Sequence, residues 1–521
     1  STTDGSIVKS QTSNIAAIDV GTNSIHMVVA KISTTGFEVL TRHKVTARLG
    51  EGAGDMKTLS ESAMDRGVVA LRQMKQIADV HQAHIFAVAT SAVREAKNSK
   101  EFVSRVSKEA NIDVSVISGV EEARLIHLGV LQALPLADQR SILIDIGGGS
   151  TEVVVFDHTD ELFARSFKLG AIRLTNRFFP DGSTHPASVP SCRRFIESTI
   201  EPTRREIKKL GHDTAVVSSG TSETLARMCW LLTHNEVPQI LNGLKFSSAD
   251  LHQITNLIVR TPSSQRNELP GMDSGRGDII VAGALILSTL ATVLQIEEFV
   301  YSDYALREGV LLDAAQRLDP DVDNDLRNVA IESATKLSQR CDEDPKHSKN
   351  VARLACNLFD ELSHLYETNV HDRLYLEAAA LLANVGLVVS HARHHIHSYY
   401  IIRNADLVGF TDREIEIIAQ VARYHRKSEP KLQHQQFAQL DADDQETVRF
   451  LSGILRIAIG LDRTHDGRTT SVKITRKQDD LQIAVLGKRD TDHELNIYAA
   501  HERRQLLQDA LHCTIALATK R

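Results

Sequence analysis

Two stretches of this 521-residue chain repeat one pattern whose residue types suit phosphate chemistry. The first runs from Ile15 through Asp19, Gly21 and Ser24 to Ala30, the second from Ser141 through Asp145, Gly147 and Ser150 to Phe156. Aligned on the aspartates, they share Ile18/Ile144, Asp19/Asp145, Gly21/Gly147, Ser24/Ser150, Val28/Val154 and Val29/Val155. Each reads as an apolar strand, an Asp, a tight glycine turn and a second apolar strand. A turn built on Gly21, or on Gly147, Gly148 and Gly149, lets backbone N–H groups converge on phosphate oxygens, and glycine is expected to supply the positive φ such turns use. An Asp at the strand end before each turn is placed to hold Mg²⁺ or to orient water beside that phosphate. One such hairpin is ordinarily only a hairpin; two copies with Asp at the same offset point to function.

Between the copies, Ser118-Gly-Val-Glu-Glu-Ala123 reads as a strand end followed by a helix start carrying Glu121 and Glu122. Acidic side chains there offset the helix dipole, and on residue type alone that role and a catalytic one weigh equally. In the catalytic reading one of the two reaches into a cleft between the halves and takes a proton from water, worth about 10²–10⁴ in rate. Mg²⁺ on Asp145 and Glu152 would supply the charge neutralisation that phosphoryl transfer requires. Glu152 shares a strand face with Val154, so it belongs either in that cleft or uncomfortably in the core.

The elements that would position these groups are legible from hydrophobic periodicity. The first hairpin continues through Phe37–Leu40 and a loop from Arg48 to Gly54, then a helical pattern from about 60 to 80 and a strand over 85–90 that ends at Ser91–Arg94. The second half begins near Ser141, has a further strand-to-turn over 215–221, and closes with segments 299–303 and 305–311. Double strands followed by helices, repeated, suggest two related α/β halves. Beyond about residue 313 helical periodicity takes over, with 13 of the 23 histidines in the last 209 residues. Period-two alternation over 471–475 and 481–486 predicts a small strand-bearing unit at the end.

Bulk properties restrict the function classes. An apolar fraction of 42% with 24% charged residues describes a soluble globular protein, and a net charge of −7 offers no general attraction to nucleic acid. Cys192, Cys229, Cys341, Cys356 and Cys513 are odd in number and scattered, the pattern of reduced cytoplasmic thiols. The polar, Ser/Thr-rich residues 1–13 lack a signal-like apolar stretch and read as a frayed tail. Residues 279–296 carry no charge, but their polar content and acidic flanks predict a buried helix running into a strand, not a transmembrane span.

Six ordered motifs carry a resemblance: Asp19-Val-Gly-Thr-Asn-Ser24, Ala89-Thr-Ser-Ala-Val-Arg-Glu-Ala96, Ser118–Ala123, Asp145-Ile-Gly-Gly-Gly-Ser-Thr-Glu152, Ser219-Gly-Thr221 and Ala305-Leu-Arg-Glu-Gly309. Together, over roughly residues 14–312, they resemble the exopolyphosphatase / guanosine pentaphosphate phosphatase family. The resemblance implies two RNase H-like domains of the actin-like superfamily, here 14–137 and 138–312. After these come a helical HD-like domain over 313–465 and a small α+β domain over 466–521. It implies Glu122 as catalytic base, with Glu121 as fallback, and Arg94 as a cation on the phosphoryl oxygens. Asp19, Asp145 and Glu152 look like the Mg²⁺ set, with a monovalent cation such as K⁺ as a further candidate. Asn23, Ser24, Gly147, Gly148, Gly149, Ser150, Thr221, Arg48, Lys168 and Arg173 look like phosphate contacts.

Where an HD phosphohydrolase would have its His-Asp pair, this chain has Ala383 and Asn384, which supply neither imidazole nor carboxylate. His347, His391, His394, His395, His397 and His425 survive nearby. Arg393, Arg403, Arg423, Arg426, Lys427 and Lys431 crowd the same region and could line a polyphosphate channel. The expected activity is release of orthophosphate from inorganic polyphosphate, or, as the alternative, from guanosine pentaphosphate (pppGpp), by a cytoplasmic homodimer, with peripheral membrane association left open. A nucleotide-binding switch and a non-catalytic alarmone sensor are the rivals of another class; the intact acidic set argues against the second.

Overall fold

The computed structural model describes residues 14–33, 36–51, 57–134, 136, 139–157, 160–238, 241–318, 323–369, 371–405, 407, 410, 412–477, 480–487 and 491–519. The tail expected over 1–13, the loop residues 52–54 and the expected boundary at 137/138 lie outside them. The chain divides into two compact units, Ser1–Val322 and Asp323–Arg521.

In the first unit, β1 (Asn14–Val20), β2 (Ile25–Ser33) and β3 (Gly36–Val45) form an antiparallel meander. β4 (His84–Ala89) and β5 (Val114–Val116) join it in parallel, giving the order β3-β2-β1-β4-β5. Helices α1 (Glu61–Val80), α2 (Ser91–Glu95), α3 (Ser99–Ala110) and α4 (Gly119–Ala133) complete this half. The second sheet contains β6 (Arg140–Ile146), β7 (Thr151–Asp157), β8 (Asp160–Phe167), β9 (Thr214–Ser218), β10 (Lys245–Ser247) and β11 (Glu298–Tyr301), in the order β10-β11-β9-β6-β7-β8. With the edge strand β10 set aside, β8-β7-β6-β9-β11 repeats the order and directions of the first sheet. The sequence repeat is thus a repeat of topology. Helices α5 (Ala171–Phe178), α6 (Ser188–Leu210), α7 (Ser219–Trp230), α8 (Ser248–Arg260) and α9 (Ile280–Leu294) belong to this half. The uncharged segment is indeed a buried helix, α9, followed by β11. Among the described residues no helix is long and apolar enough to cross a membrane.

A layer of two helices lies between the sheets. Ile126 and Val130 of α4 and Val310 and Leu311 of α10 (Leu306–Leu318) share one core with Ile15, Ala17 and Val28 of the first sheet and Leu143, Val154 and Val216 of the second. The helices approach so closely that a Cβ on Gly309 would overlap the Leu125 carbonyl oxygen, and one on Gly129 the Ala305 carbonyl oxygen. The boundary expected at 312/313 therefore falls inside α10, and the first unit runs on to Val322. Helical periodicity alone does not say which side of a boundary a helix packs on.

The second unit comprises α11 (Asp323–Cys341), α12 (Pro345–Ser363), α13 (Asp372–Leu382), α14 (His394–Asn404), α15 (Asp412–Arg423), α16 (Gln435–Ala438) and α17 (Ala442–Leu461), followed by β12 (Thr469–Lys477), β13 (Asp480–Gly487), α18 (Glu494–His501), α19 (Gln505–Leu511) and β14 (Thr514–Thr519). The strands form a sheet of order β12-β13-β14. Leu354, Leu376, Ile418 and Leu455 of the helices share one core with Val472, Ile483 and Ile515 of the sheet, so no separate core begins at 466. Two α12 side chains also cap edge amides of β12, Asn357 accepting from Val472 N–H at 2.6 Å and Glu361 from Ile474 N–H at 3.0 Å.

The histidines singled out in the sequence separate into two groups. His347 Nδ1 bonds to Asp462 at 2.7 Å and its ring stacks on His465, while Ala383 lies in the core and Asn384 donates to Ser348 at 3.4 Å. His394 and His425 face each other, Nε2 to Nε2, at 3.2 Å. Among the described residues no three histidine, cysteine or acidic side chains converge as a metal cage. Of the basic side chains assigned to a channel, Arg403 pairs with Glu416 at 2.8 Å, Arg423 lies over Tyr399 and Tyr424, and Arg426 donates to His394.

The paired imidazoles predict a pH dependence. Burial, with the nearby His394, His395 and Arg426, pushes His425 down to about 3, although its bond to the Ala422 carbonyl opposes the shift. Below its ordinary value of 6.5 the unfolded chain takes up a proton that the folded chain refuses, so stability falls as pH falls through that window. The urea midpoint of the full chain is expected to drop between about pH 7 and about pH 5, and to drop less for His425→Gln. Parallel profiles for the two proteins would refute this.

Candidate active site

The two glycine turns have the same geometry. Gly21 N–H donates to the Ser24 carbonyl at 3.1 Å and Gly147 N–H to the Ser150 carbonyl at 2.9 Å. The turn glycines do not take the positive φ expected of them. Close approach requires them instead: a Cβ on Gly21 would sit 2.9 Å from the Ser24 carbonyl oxygen, and one on Gly148 would sit 3.0 Å from Thr22 Cβ of the opposite turn. The carbonyls of Gly147 and Gly148 accept from Ala171 and Ile172 N–H at the start of α5, at 3.0 and 2.9 Å, and that of Gly149 accepts from Arg173 Nε at 2.7 Å. N–H and C=O point oppositely across a trans peptide. The N–H groups of Gly148, Gly149 and Ser150 therefore face away from α5, as donors suited to an anion.

Four carboxylates gather around these turns. Asp19 ends β1 beside the first turn, and Asp145 and Glu152 are cross-strand partners flanking the second. Glu122 stands in the first turn of α4, whose start is fixed by Ser118 accepting from Glu121 N–H at 3.1 Å. Arg94 donates through Nη1 to Glu122 Oε2 and to the Ile117 carbonyl, each at 2.9 Å. Asp145 Oδ2 accepts from Ser218 and, at 2.6 Å, from Ser219, whose φ of 72° is a strained backbone for a residue with a Cβ. Ser166 donates to Glu152 at 2.6 Å.

Their electrostatics are those of crowded, buried anions. Burial, with the neighbouring Glu122 and Asp145, pushes Asp19 up to about 8, and Arg307 only partly offsets this. Glu152 is raised well above the carboxylate range by burial and by Glu122 and Asp145. Glu122 is raised by burial against the opposing pull of Arg94. Among the described residues, Asp19 Oδ1 is buried with no hydrogen-bond partner. Such a cluster calls for protons or a cation, and its hard oxygen donors fit Mg²⁺. Among the described residues no three acidic side chains close into a metal cage.

Glu121 lies elsewhere. Successive helical residues are turned about 100° apart, and Glu121 is held by Arg124 at 2.6 Å, which also reaches Asp313 of α10 at 2.7 Å. It belongs to the ion network joining α4 to α10, away from Arg94 and the turns. Asn23, Ser24 and Ser150 are in the turns as expected. The methyl of Thr221 lies against Gly283 of α9, so Ser218 and Ser219 are the side chains of that segment that reach the acidic set. Arg48 pairs with Asp278 at 3.0 Å, while Arg173 and Lys168 both grip Glu95, at 2.7 and 3.0 Å.

Arg307 was missed as a site residue, although its motif was noticed. It donates to His26 Nδ1 at 3.1 Å and pairs with the buried Glu308 at 2.7 Å, placing a cation beside Asp19. Nothing in its local sequence distinguishes it from a solvated helix arginine. Ser166 was missed for a similar reason, since its role depends on the β7–β8 register that sets it opposite Glu152.

The chain matches the profile of the Ppx/GppA phosphatase family over residues 28–318 and that of Ppx/GppA phosphatase domain III over 329–508. It is 30% identical over 479 residues to a guanosine-5'-triphosphate,3'-diphosphate pyrophosphatase of Pseudoalteromonas translucida (strain TAC 125), covering 91% of this chain and 93% of that one. Among solved structures, an exopolyphosphatase from Cytophaga hutchinsonii ATCC 33406 superposes with a TM-score of 0.55 at 30% identity, covering 58% of this chain and 98% of that one. The Aquifex aeolicus member of the Ppx/GppA family superposes with a TM-score of 0.50 at 26% identity, covering 59% and 99%. With both regions matched in order and the relative aligned over nearly the whole length, the chain belongs to the Ppx/GppA phosphatase family.

Proposed function

We propose that the protein releases terminal orthophosphate from inorganic polyphosphate by Mg²⁺-assisted attack of a water that Glu122 deprotonates. The observation that carries this reading is the position of Glu122: buried, oriented by Arg94, and set among Asp19, Asp145 and Glu152 beside two touching phosphate-type turns. The N–H groups of the second turn hold the terminal phosphate, and Arg94 offsets charge on its oxygens. Glu122 takes the water proton as the new P–O bond forms and the bridging P–O bond breaks. A carboxylate raised by burial is a stronger base than one in water, which suits proton abstraction. Bound Mg²⁺, held by Asp145 with Glu152 or Asp19, would neutralise phosphoryl charge.

Guanosine pentaphosphate is the second reading, favoured by the relative that aligns over both units and is named for that substrate. The exopolyphosphatase likeness covers 58% of the chain. Side-by-side kcat/KM values decide between them: the leading reading expects polyphosphate to exceed guanosine pentaphosphate by about tenfold or more, a difference of 1.4 kcal/mol in transition-state binding. Chelation of Mg²⁺ is expected to abolish phosphate release from either and to lower the melting temperature. Undiminished turnover in chelator would remove the metal from the proposal.

A further inference from the structure

We propose that Glu95 is a built-in competing anion that occupies a cationic pocket until a phosphate-rich ligand displaces it. The pocket has a volume of about 520 Å³ and lies between the two halves of the first unit, lined by Lys57, Lys97, Lys168, Arg173, Arg177 and Phe195, with Glu95 the one acid among its lining residues. It is separate from the carboxylate cluster but connected to it at two points. Arg94 and Glu95 are consecutive on α2, one turned to Glu122 and the other to the pocket. Arg173 binds Glu95 through Nη2 while its Nε holds the Gly149 carbonyl of the phosphate turn.

The chemistry of displacement follows from charge and shape. A carboxylate carries one negative charge, whereas a phosphate chain carries about one per phosphate and matches the guanidinium fork equally well. Even with Lys57 set aside, Lys97 and Arg177 leave the described lining with an excess of positive charge after Glu95 pairs with Lys168 and Arg173. A polyanion entering there engages Arg173 and Lys168 and releases Glu95, which is the contact α2 makes across the cleft at this point. Arg177, held over the Phe195 ring at 4.1 Å, presents its charge from a rigid mount. The proposal rests on the phosphatase reading for the identity of the ligand, though binding at the pocket needs no turnover.

The test compares the full-length wild type with Glu95→Gln, using inorganic tripolyphosphate as probe in equilibrium binding and orthophosphate release as a second readout. Glu95→Gln is expected to tighten binding by about fivefold, the worth of a half-buried ion pair no longer in competition, and to lower KM with kcat within about twofold. Arg177→Ala, which keeps the clasp and removes a pocket cation, is expected to weaken binding. Unchanged or weaker binding by Glu95→Gln, in a protein that melts like the wild type, would overturn the proposal and leave the clasp a purely structural contact. If Glu95→Gln melts early, Lys168→Met, which removes the more exposed side of the clasp, is expected to flatten the salt dependence of tripolyphosphate binding less than Arg177→Ala; equal effects would count against a gate. Tripolyphosphate binding that responds to Glu95 without any phosphate release would sink the hydrolase reading alone, and phosphate release indifferent to Glu95 would sink this one alone.

Discussion

Glu122→Gln is expected to lower phosphate release from inorganic polyphosphate by about 10²–10⁴-fold while leaving equilibrium binding within about threefold of wild type. The amide is isosteric, so its oxygen can still accept from Arg94, which in the native protein lies 2.9 Å from Glu122 Oε2. What it loses is basicity. Removing a mutually repelling charge from beside Asp19 and Glu152 should also raise the melting temperature in the absence of Mg²⁺, since both carboxylates are raised partly by Glu122. Glu121→Gln predicts the opposite pattern. It weakens a buried ion network with Arg124 and Asp313, so the melting temperature falls while kcat per folded molecule changes little. Single-turnover phosphate release, paired with thermal melts of both variants, separates the two carboxylates; near-native turnover by Glu122→Gln would return the search for the base to its start.

The second large effect is expected from one methyl group far from any phosphate. In Gly309→Ala the new Cβ would overlap the Leu125 carbonyl oxygen, so α10 must move off α4 or the variant must unfold. Overpacking of this kind costs about 1–3 kcal/mol and sometimes more, and here it acts on the helix pair around which both sheets build their shared core. Because α4 carries Glu122 in its first turn, a shift between the helices also moves the proposed base relative to Asp145 and the glycine turns. Activity per folded molecule should therefore fall together with the melting temperature. A variant melting within about a degree of wild type at full activity would show that the interface between the helices can relax without loss.

How much of this was readable beforehand depends on whether a feature is local in the chain. The two Asp-Gly hairpins, the strand-to-turn at Ser219 and the buried uncharged helix α9 follow from residue patterns a few positions long, because strand alternation and turn chemistry act over that range. The duplicated sheet order was foreshadowed by the motif repeat. The glycines were located correctly and explained incorrectly: they avoid positive φ, and what excludes side chains is close approach, at Gly21 by the Ser24 carbonyl oxygen of its own turn and at Gly148 by Thr22 of the opposite turn, a neighbour more than a hundred residues distant. The domain boundary at 312/313 failed for the same reason, since the packing of α10 on α4 is invisible in the periodicity of either helix.

By itself, the sequence determined the acidic set, the turns and the family, because these are short motifs whose order along the chain is their signature. Only the tertiary structure decided which member of the Glu121–Glu122 pair stands beside Arg94 and which is tied to Arg124, a choice made by helix rotation against two distant partners. It also showed that Arg48, Lys168 and Arg173, which the resemblance implies as phosphate contacts, pair with the carboxylates of Asp278 and Glu95. The physical reason is common to both: an ionic side chain binds whichever opposite charge folding brings nearest, and that partner lies elsewhere in the sequence.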